Sequence, residues 1–384
     1  MITKQDVSPP KGEKSSFIGH NSLVNRPQSI SFIEKFSKVL SREPIPIDLE
    51  KKPAKQMVYK ILRTEELKYI HEYWQEYFEN LRKTESHSMV KKVLDRHQPV
   101  ITRYLRAHLI DWLTHVCDVL PKEDFTLPFI ATNMTDRFFM LTNKTIRPED
   151  MQLTGLTALF MVSKYLEITP LFLDQLVNEM GYRKYKAKEF VDRETELMSQ
   201  LACEIDPPTH LDFTLLYSKF IRSQVQNFRG PIMKPTLTFL LTSEYYACEY
   251  CKMLLADLDM LSVRPSILAA TAIKFGLEYS ERYCRDHQVF DAPLPEGKTK
   301  ADLEEEITSI STSWEQIATT LLHEVADYAE IAAFTREIEE RMVFIEKKHG
   351  KKFTTIFKNK VTRYFPEIYE RRGADFEDKY KDII

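Results

Sequence analysis

Residues 148–167, PEDMQLTGLTALFMVSKYLE, wind into a helix with apolar residues on nearly every face: Met151, Leu153, Leu156, Leu159, Phe160 and Val162. A surface helix needs only one apolar stripe, so a helix greasy all round has to be surrounded by others. Pro148 suits its first position, where the missing N–H costs nothing. In the second half, RPSILAATAIKFGLEYSERY at 264–283 makes the same demand. Its small residues Ala269, Ala270 and Ala272 would let neighbouring helices approach closely. Two such helices imply two helical bundles, which also suits a chain of 384 residues.

The intervening segments fit that plan. TEELKYIHEYWQEYFENLRK, from an N-cap at Thr64, repeats Leu67, Ile70, Trp74, Phe78 and Leu81 along one stripe. A helix from about Thr102 contains LRAHLIDWLTHV, and PFIATNMTDRFFML follows with Pro128 at its first position. LFLDQLVNEM and KAKEFVDRETELMSQLACEI come after the central helix, and DPP at 206–208 stops the run. THLDFTLLYSKFIRS and TLTFLLTSEYYACEYCKMLLA then precede the second central helix. Residues 286–300 read as a loop, and about 302–347 as long glutamate-rich helices. Prolines 9, 10, 27, 44, 46 and 53, among many Ser and Lys, predict a disordered tail over 1–60, with a short amphipathic piece at 31–40. The end, GADFEDKYKDII, reads as frayed. The expected division is therefore a tail at 1–60, a first unit at 61–206, and a second at 207–384 with an insertion near 286–303.

Composition and motif searches exclude more than they suggest. Nine glycines argue against a Gly-rich phosphate cradle and against a chain of many tight β-turns. EGKT at 296–299 has Ala292 where a phosphate loop needs its first Gly, and no apolar strand precedes it. His323 and Glu324 begin like a metalloprotease motif, but Asp327 stands in place of the second His. A formal charge of −3 gives no pull toward nucleic acid or anionic lipid, and the basic run KNKVTRYF at 358–365 reads as a solvated face. No apolar run reaches the length of a membrane span. The first residues lack a signal peptide's apolar centre, so a reducing intracellular compartment is expected. Five scattered cysteines make no disulfide framework, and CEYC at 248–251 reads as small core residues on one helix face. No cofactor or metal is called for.

Charges inside apolar helices are the informative exceptions. Arg106 and Asp111 lie in LRAHLIDWLTHV, and Asp136 and Arg137 in NMTDRFFM. A lone buried charge costs several kcal/mol, so an Arg106–Asp136 bridge between the two helices is expected. Lys164 and Glu194 each follow an apolar stretch near a helix end. Taken alone, they read as a snorkelling lysine and a solvated glutamate.

Several motifs together resemble the cyclins. QPVITRYLRAHLIDWLTHV is similar to the start of the cyclin box, TDRFF to its Asp-Arg-Phe helix, and MQLTGLTALFMVSKYLEI to its central helix. PPTHLDF resembles the join to a second box, and RPSILAATAI that box's central helix. The resemblance covers roughly 65–285 and is closest to the A/B mitotic type. It implies an all-α protein: two tandem five-helix cyclin-box domains, an N-terminal helix and extra C-terminal helices.

It implies, further, a regulatory subunit that binds and activates a cyclin-dependent Ser/Thr protein kinase as a heterodimer. Cell-cycle control of the G2/M kind, help in selecting substrates, and a place in nucleus and cytoplasm follow from it. The subunit would supply no catalytic group. Lys164 and Glu194 match positions that hold the kinase, and Tyr165 and Ile205 match apolar positions that pack on its mobile helix. Leu105, Leu109 and Trp112 match the lining of an exposed groove for substrate docking peptides, with Gln152 on its rim. Arg106 and Asp136 match a structural bridge. His108 and His115 depart from that pattern, as does Leu166 in place of a glutamate. The tail carries neither an Arg-x-x-Leu nor a Lys-Glu-Asn degradation signal. Neither a nucleic-acid nor a membrane partner is expected. A kinase-independent, transcription-factor-like adaptor is the alternative.

Overall fold

The computed structural model describes residues 64–89, 98–119, 126–229, 232–322, 328–349, 356, 357, 360, 364 and 365. The expectations for 1–60 (with its piece at 31–40), for His323 and Glu324, for most of the basic run at 358–365 and for the end at 373–384 lie outside the described residues. Every regular element described is helical.

The helices are α1 (Thr64–Thr84), α2 (Arg103–Val119), α3 (Leu127–Leu141), α4 (Pro148–Leu166) and α5 (Ala187–Gln200), then α6 (His210–Arg229), α7 (Lys234–Ala256), α8 (Pro265–Asp286), α9 (Lys300–Leu322) and α10 (Tyr328–His349). Local chemistry explains several of their ends. Pro148 and Pro265 open the two central helices, while Pro128 takes the second position of α3 rather than the first. Thr64 is already the first helical residue of α1. Residues 171–180, expected as a helix, form only one α-turn (Leu173–Gln175) running into a π-turn (Leu176–Met180). The loop at 286–300 contains a 3-10 turn, Val289–Asp291.

The two greasy helices are central, as their composition requires. α4 packs against α2, α3 and α5, and α8 against α6, α7, α9 and α10. At Gly276 of α8 the approach to α7 is so close that a Cβ would lie 2.4 Å from the Ser243 carbonyl oxygen. Two apolar cores result. One gathers side chains of α2–α5, Trp112, Phe138 and Leu159 among them. The other gathers Phe213, Tyr250 and Phe275, and draws in Phe78 of α1 with Ala107, Ile110 and Phe129 of the first bundle. Trp74 of α1 sets its ring 4.2 Å from that of Phe220, fixing α1 on α6.

Helix α2 carries polar side chains that reach across to the second bundle. Arg106 is 1% exposed; its Nε and Nη2 donate to the two carboxylate oxygens of Asp136, each at 2.8 Å. Its Nη1 donates to the carbonyls of Leu255 (2.9 Å) and Ala256 (3.3 Å), which end α7. The Arg103 guanidinium lies 3.1 Å from Asp259, and Asp118 accepts from Lys252 at 3.1 Å. Asp111, wholly buried, accepts from the backbone N–H of Ile356 at 2.7 Å. Lys360 pairs with Glu249 at 2.5 Å, and Tyr364 and Phe365 bury their rings against Tyr246, Phe275 and Tyr279. Cys251 is fully buried beside Thr214, and burial pushes its thiol up to about 12, so it is inert core rather than a ligand.

Candidate functional site

The C-terminal end of α4 is held open by one hydroxyl. Ser163 Oγ donates to the Phe160 carbonyl at 2.8 Å and accepts from the Leu171 N–H at 3.1 Å. That closes the loop 167–170 beneath buried Leu171 and leaves the flanking apolar residues outside. Ile168 is fully exposed at 102%, Phe172 is 62% exposed and Tyr165 57%. Leu166 instead turns inward and packs against the first core.

Helix α5 lies alongside, tied to α4 by Arg193, which donates to Thr154 Oγ1 at 2.9 Å and caps the Phe138 ring. From it Glu194 forms an ion pair with Lys164. The Lys164 ammonium also stands 4.2 Å from the Phe160 ring centroid, so carboxylate and aromatic face fix it together. Both side chains keep solvent contact, 39% and 25% exposed. Val191, half-exposed one turn before Glu194, extends the apolar surround.

The linker after α5 brings up Ile205. Ala202 and Cys203 adopt left-handed backbone there, reversing the chain. Arg137 grips the reversal by donating to the Glu204 carbonyl at 3.0 Å and pairing with the Glu204 carboxylate; His87 Nδ1 reaches the same carboxylate at 2.6 Å. Burial lowers the Arg137 guanidinium, and Glu204 opposes that shift. Ile205 is half-buried against the first core. On the other side of the linker, Tyr73 and Tyr77 of α1 are exposed, and the Tyr77 hydroxyl is raised by burial and by Asp212 and Asp206.

The four candidate kinase-binding residues thus lie on the C-terminal end of α4, the linker after α5, and α5 itself, where Glu194 stands in the middle of the helix rather than near its end. Sequence reading passed over Ile168, Phe172 and Val191. An isoleucine followed by Thr-Pro was a usable signal, since a helix that ends before such a pair leaves its last apolar residue in a loop.

The residues expected to line an exposed docking groove are more deeply buried than that expectation. Leu109 and Trp112 are 2% and 1% exposed and belong to the first core, with Leu105 half-exposed and packed against it. Gln152 is 9% exposed; its Oε1 accepts from Lys184 Nζ at 3.4 Å and Tyr185 Oη at 3.5 Å. His108, 8% exposed, turns its ring edge to Tyr104. Among the described residues no group of His, Cys, Asp and Glu could hold a metal ion, and no helix is long and apolar enough to cross a membrane.

Comparison with known proteins fits this architecture. The family model for the cyclin N-terminal domain matches residues 76–206, the span from α1 to the linker. That stretch of the chain is thus similar to a cyclin N-terminal domain. Among curated relatives, the chain is 30% identical over 202 residues to Cyclin-B2-2 of Arabidopsis thaliana, covering 53% of this chain and 42% of that one. It is 29% identical over 183 residues to Cyclin-A1-2 of Arabidopsis thaliana (47% and 37%). It is also 29% identical over 195 residues to the G2/mitotic-specific cyclin S13-6 of Glycine max (49% and 41%). The matches thus span about two fifths of these relatives, which are named as A, B or mitotic cyclins, and the identity to them is low. A solved structure, a viral cyclin from herpesvirus saimiri, aligns at 14% identity and a TM-score of 0.43, covering 62% of this chain and 97% of that one.

Proposed function

We propose that this chain is a cyclin, the regulatory subunit of a cyclin-dependent Ser/Thr protein kinase, and that it holds the kinase on the surface formed by the C-terminal end of α4 and the middle of α5. The observation that carries the reading is the exposed cluster Tyr165, Ile168 and Phe172 around the Lys164–Glu194 pair. Contiguous large apolar side chains left in water at one end of a packed helix mark a surface that a partner covers. Burying one such side chain contributes about 1.5–3 kcal/mol, and three are enough to offset much of the cost of association.

Chemically, the subunit acts by position. A kinase needs a glutamate on its mobile helix paired with its ATP-binding lysine. An apolar platform that buries the flank of that helix stabilises the paired arrangement, and Lys164 and Glu194 fix its register through hydrogen bonds at the rim. Tyr165 and Ile205 would pack on the same helix. The bridge Arg106–Asp136 serves the platform indirectly, by keeping the two bundles rigid. A role in cell division of the G2/M kind is supported by the A, B and mitotic-specific names of the relatives; nucleus and cytoplasm are the places that such a role would need.

Affinity capture of the protein from its own cells, followed by a protein-kinase assay on the eluate, tests the reading. Lys164→Ala combined with Glu194→Ala should lower the recovered kinase activity, and Ile168→Glu should abolish it, with unchanged circular dichroism. An eluate without kinase activity would overturn the proposal in favour of a kinase-independent adaptor.

A further inference from the structure

Where the two bundles meet, beside the Arg106–Asp136 bridge, the chain encloses a cavity of about 40 Å³. Five stretches line it: Ser88 and Met89 after α1, one stripe of α3, the start of α6, the end of α7 with the turn after it, and the start of α8. The stripe is Phe129, Thr132, Asn133 and Asp136, whose three- and four-residue spacing puts them on a single helix face. The second bundle supplies mostly apolar wall, Met260 and Leu268 among it.

The stripe carries hydrogen-bonding groups that the chain leaves unused. Thr132 is 1% exposed, and its Oγ1 has no partner among the described residues. Other buried helical threonines turn the hydroxyl back on their own helix. Thr135, Thr157 and Thr214 each donate to the carbonyl four residues before, at 2.7 Å. Asn133 is 7% exposed; its Nδ2 donates to the Ser88 carbonyl at 2.8 Å, which fixes the amide and leaves Oδ1 without a partner among the described residues. His210, at the start of α6, also lines the space. Its Nε2 donates to the Cys251 carbonyl at 3.1 Å, and burial keeps the ring neutral, so Nδ1 carries a lone pair.

This chemistry selects an occupant. Asn133 Oδ1 and His210 Nδ1 only accept, so whatever meets them must donate. An anion is opposed by these acceptors and by the Asp136 carboxylate. A cation is opposed by Arg106, whose guanidinium already holds both oxygens of that carboxylate at 2.8 Å. A neutral donor remains, and a water needs about 10–15 Å³ of such space, so the volume suits about two or three. We infer that the cavity is a binding site for a small cluster of ordered water. The cluster donates to Asn133 and His210, exchanges hydrogen bonds with Thr132, and so joins α3 of the first bundle to α6 of the second. It removes the desolvation penalty that buried polar atoms otherwise carry. The site is separate from the kinase-binding surface and does not rest on that reading.

Thr132→Val tests this by the sign of its effect, since valine keeps the shape and a similar helix propensity while losing the hydroxyl. With water bound, the loss of a partner should lower the urea midpoint and cut the folded-to-unfolded ratio about fivefold. In a dry cavity the same change would remove an unpaired hydroxyl and raise the midpoint. Thr135→Val, whose hydroxyl only doubles a carbonyl already bonded within α3, should have a smaller effect. In the full chain with labelled methyl groups, nuclear magnetic resonance should show water cross-peaks to Met260 and Leu268, and none to Met134, which is buried in the first core. Xenon, which enters dry apolar cavities, should leave the Met260 and Leu268 signals in place. A raised or unchanged midpoint for Thr132→Val, a loss equal to that of Thr135→Val, missing water cross-peaks at both methyl groups, or a xenon-induced shift of either would overturn the inference.

Discussion

Asp136→Ala removes both acceptors from the guanidinium fork of Arg106 while leaving the charge in place. The arginine is 1% exposed, so water cannot replace them without opening the junction between α2 and α3. What remains is Nη1 on the carbonyls of Leu255 and Ala256. Breaking a buried pair from one side costs about 3–5 kcal/mol. That is a large share of the roughly 5–15 kcal/mol by which a domain is stable. Urea unfolding followed by far-ultraviolet circular dichroism reads the loss as a lower midpoint at similar slope. Lys164→Ala is the contrast, since an exposed pair is worth about 1 kcal/mol or less. Replacing both partners, Arg106→Met with Asp136→Leu, should recover part of the loss, because an apolar pair is often as good as a buried salt bridge. It should fall short by about 1–3 kcal/mol for the carbonyls left without a donor. An Asp136→Ala midpoint indistinguishable from that of Lys164→Ala would refute the reasoning.

His210 gives a pH signature. It is buried with Nε2 3.1 Å from the Cys251 carbonyl, and burial pushes it down to about 4. The unfolded chain, near 6.5, therefore binds more protons between the two values, so stability is full above 6.5 and falls as pH drops toward 4, by about 3 kcal/mol. Comparing wild type and His210→Gln by urea unfolding from pH 7.5 to 4.5 should show a flatter profile for the variant. Gly276→Ala should destabilise the protein by about 1–3 kcal/mol, although alanine favours helices, because its Cβ meets the Ser243 carbonyl oxygen on α7. A raised urea midpoint would show that α7 and α8 can part at that point.

How much of this could be read beforehand depended on whether the physics was local. The central helices were legible because Leu156 and Leu159, or Ala269 and Ala272, force burial whatever surrounds them. The Arg106–Asp136 pair was legible because each charge lay on an apolar helix and only the neighbouring helix offered an opposite one. The reach of Arg106 to Leu255 and Ala256 was not, since backbone carbonyls leave no trace in a residue pattern. The depth of Trp112 was not legible, because spacing puts Leu105, Leu109 and Trp112 on one face without saying how far that face is buried. Residues 171–180 carry helical periodicity, yet the tight closure at Ser163 and the turn into Tyr182 leave room for little more than one α-turn and a π-turn.

The contact between Asp111 and Ile356 joins positions 245 residues apart. A growing chain emerges from the N-terminus onward, so α2 is complete long before its carboxylate can meet that N–H. Until then Asp111 sits at an unfinished seam, and the aromatic rings of Tyr246, Phe275 and Tyr279 wait for Tyr364 and Phe365. The last steps of folding therefore wait for residues 356–365 to be made, and a chain cut before them leaves the aromatic lining of the second bundle open to chaperones and proteases.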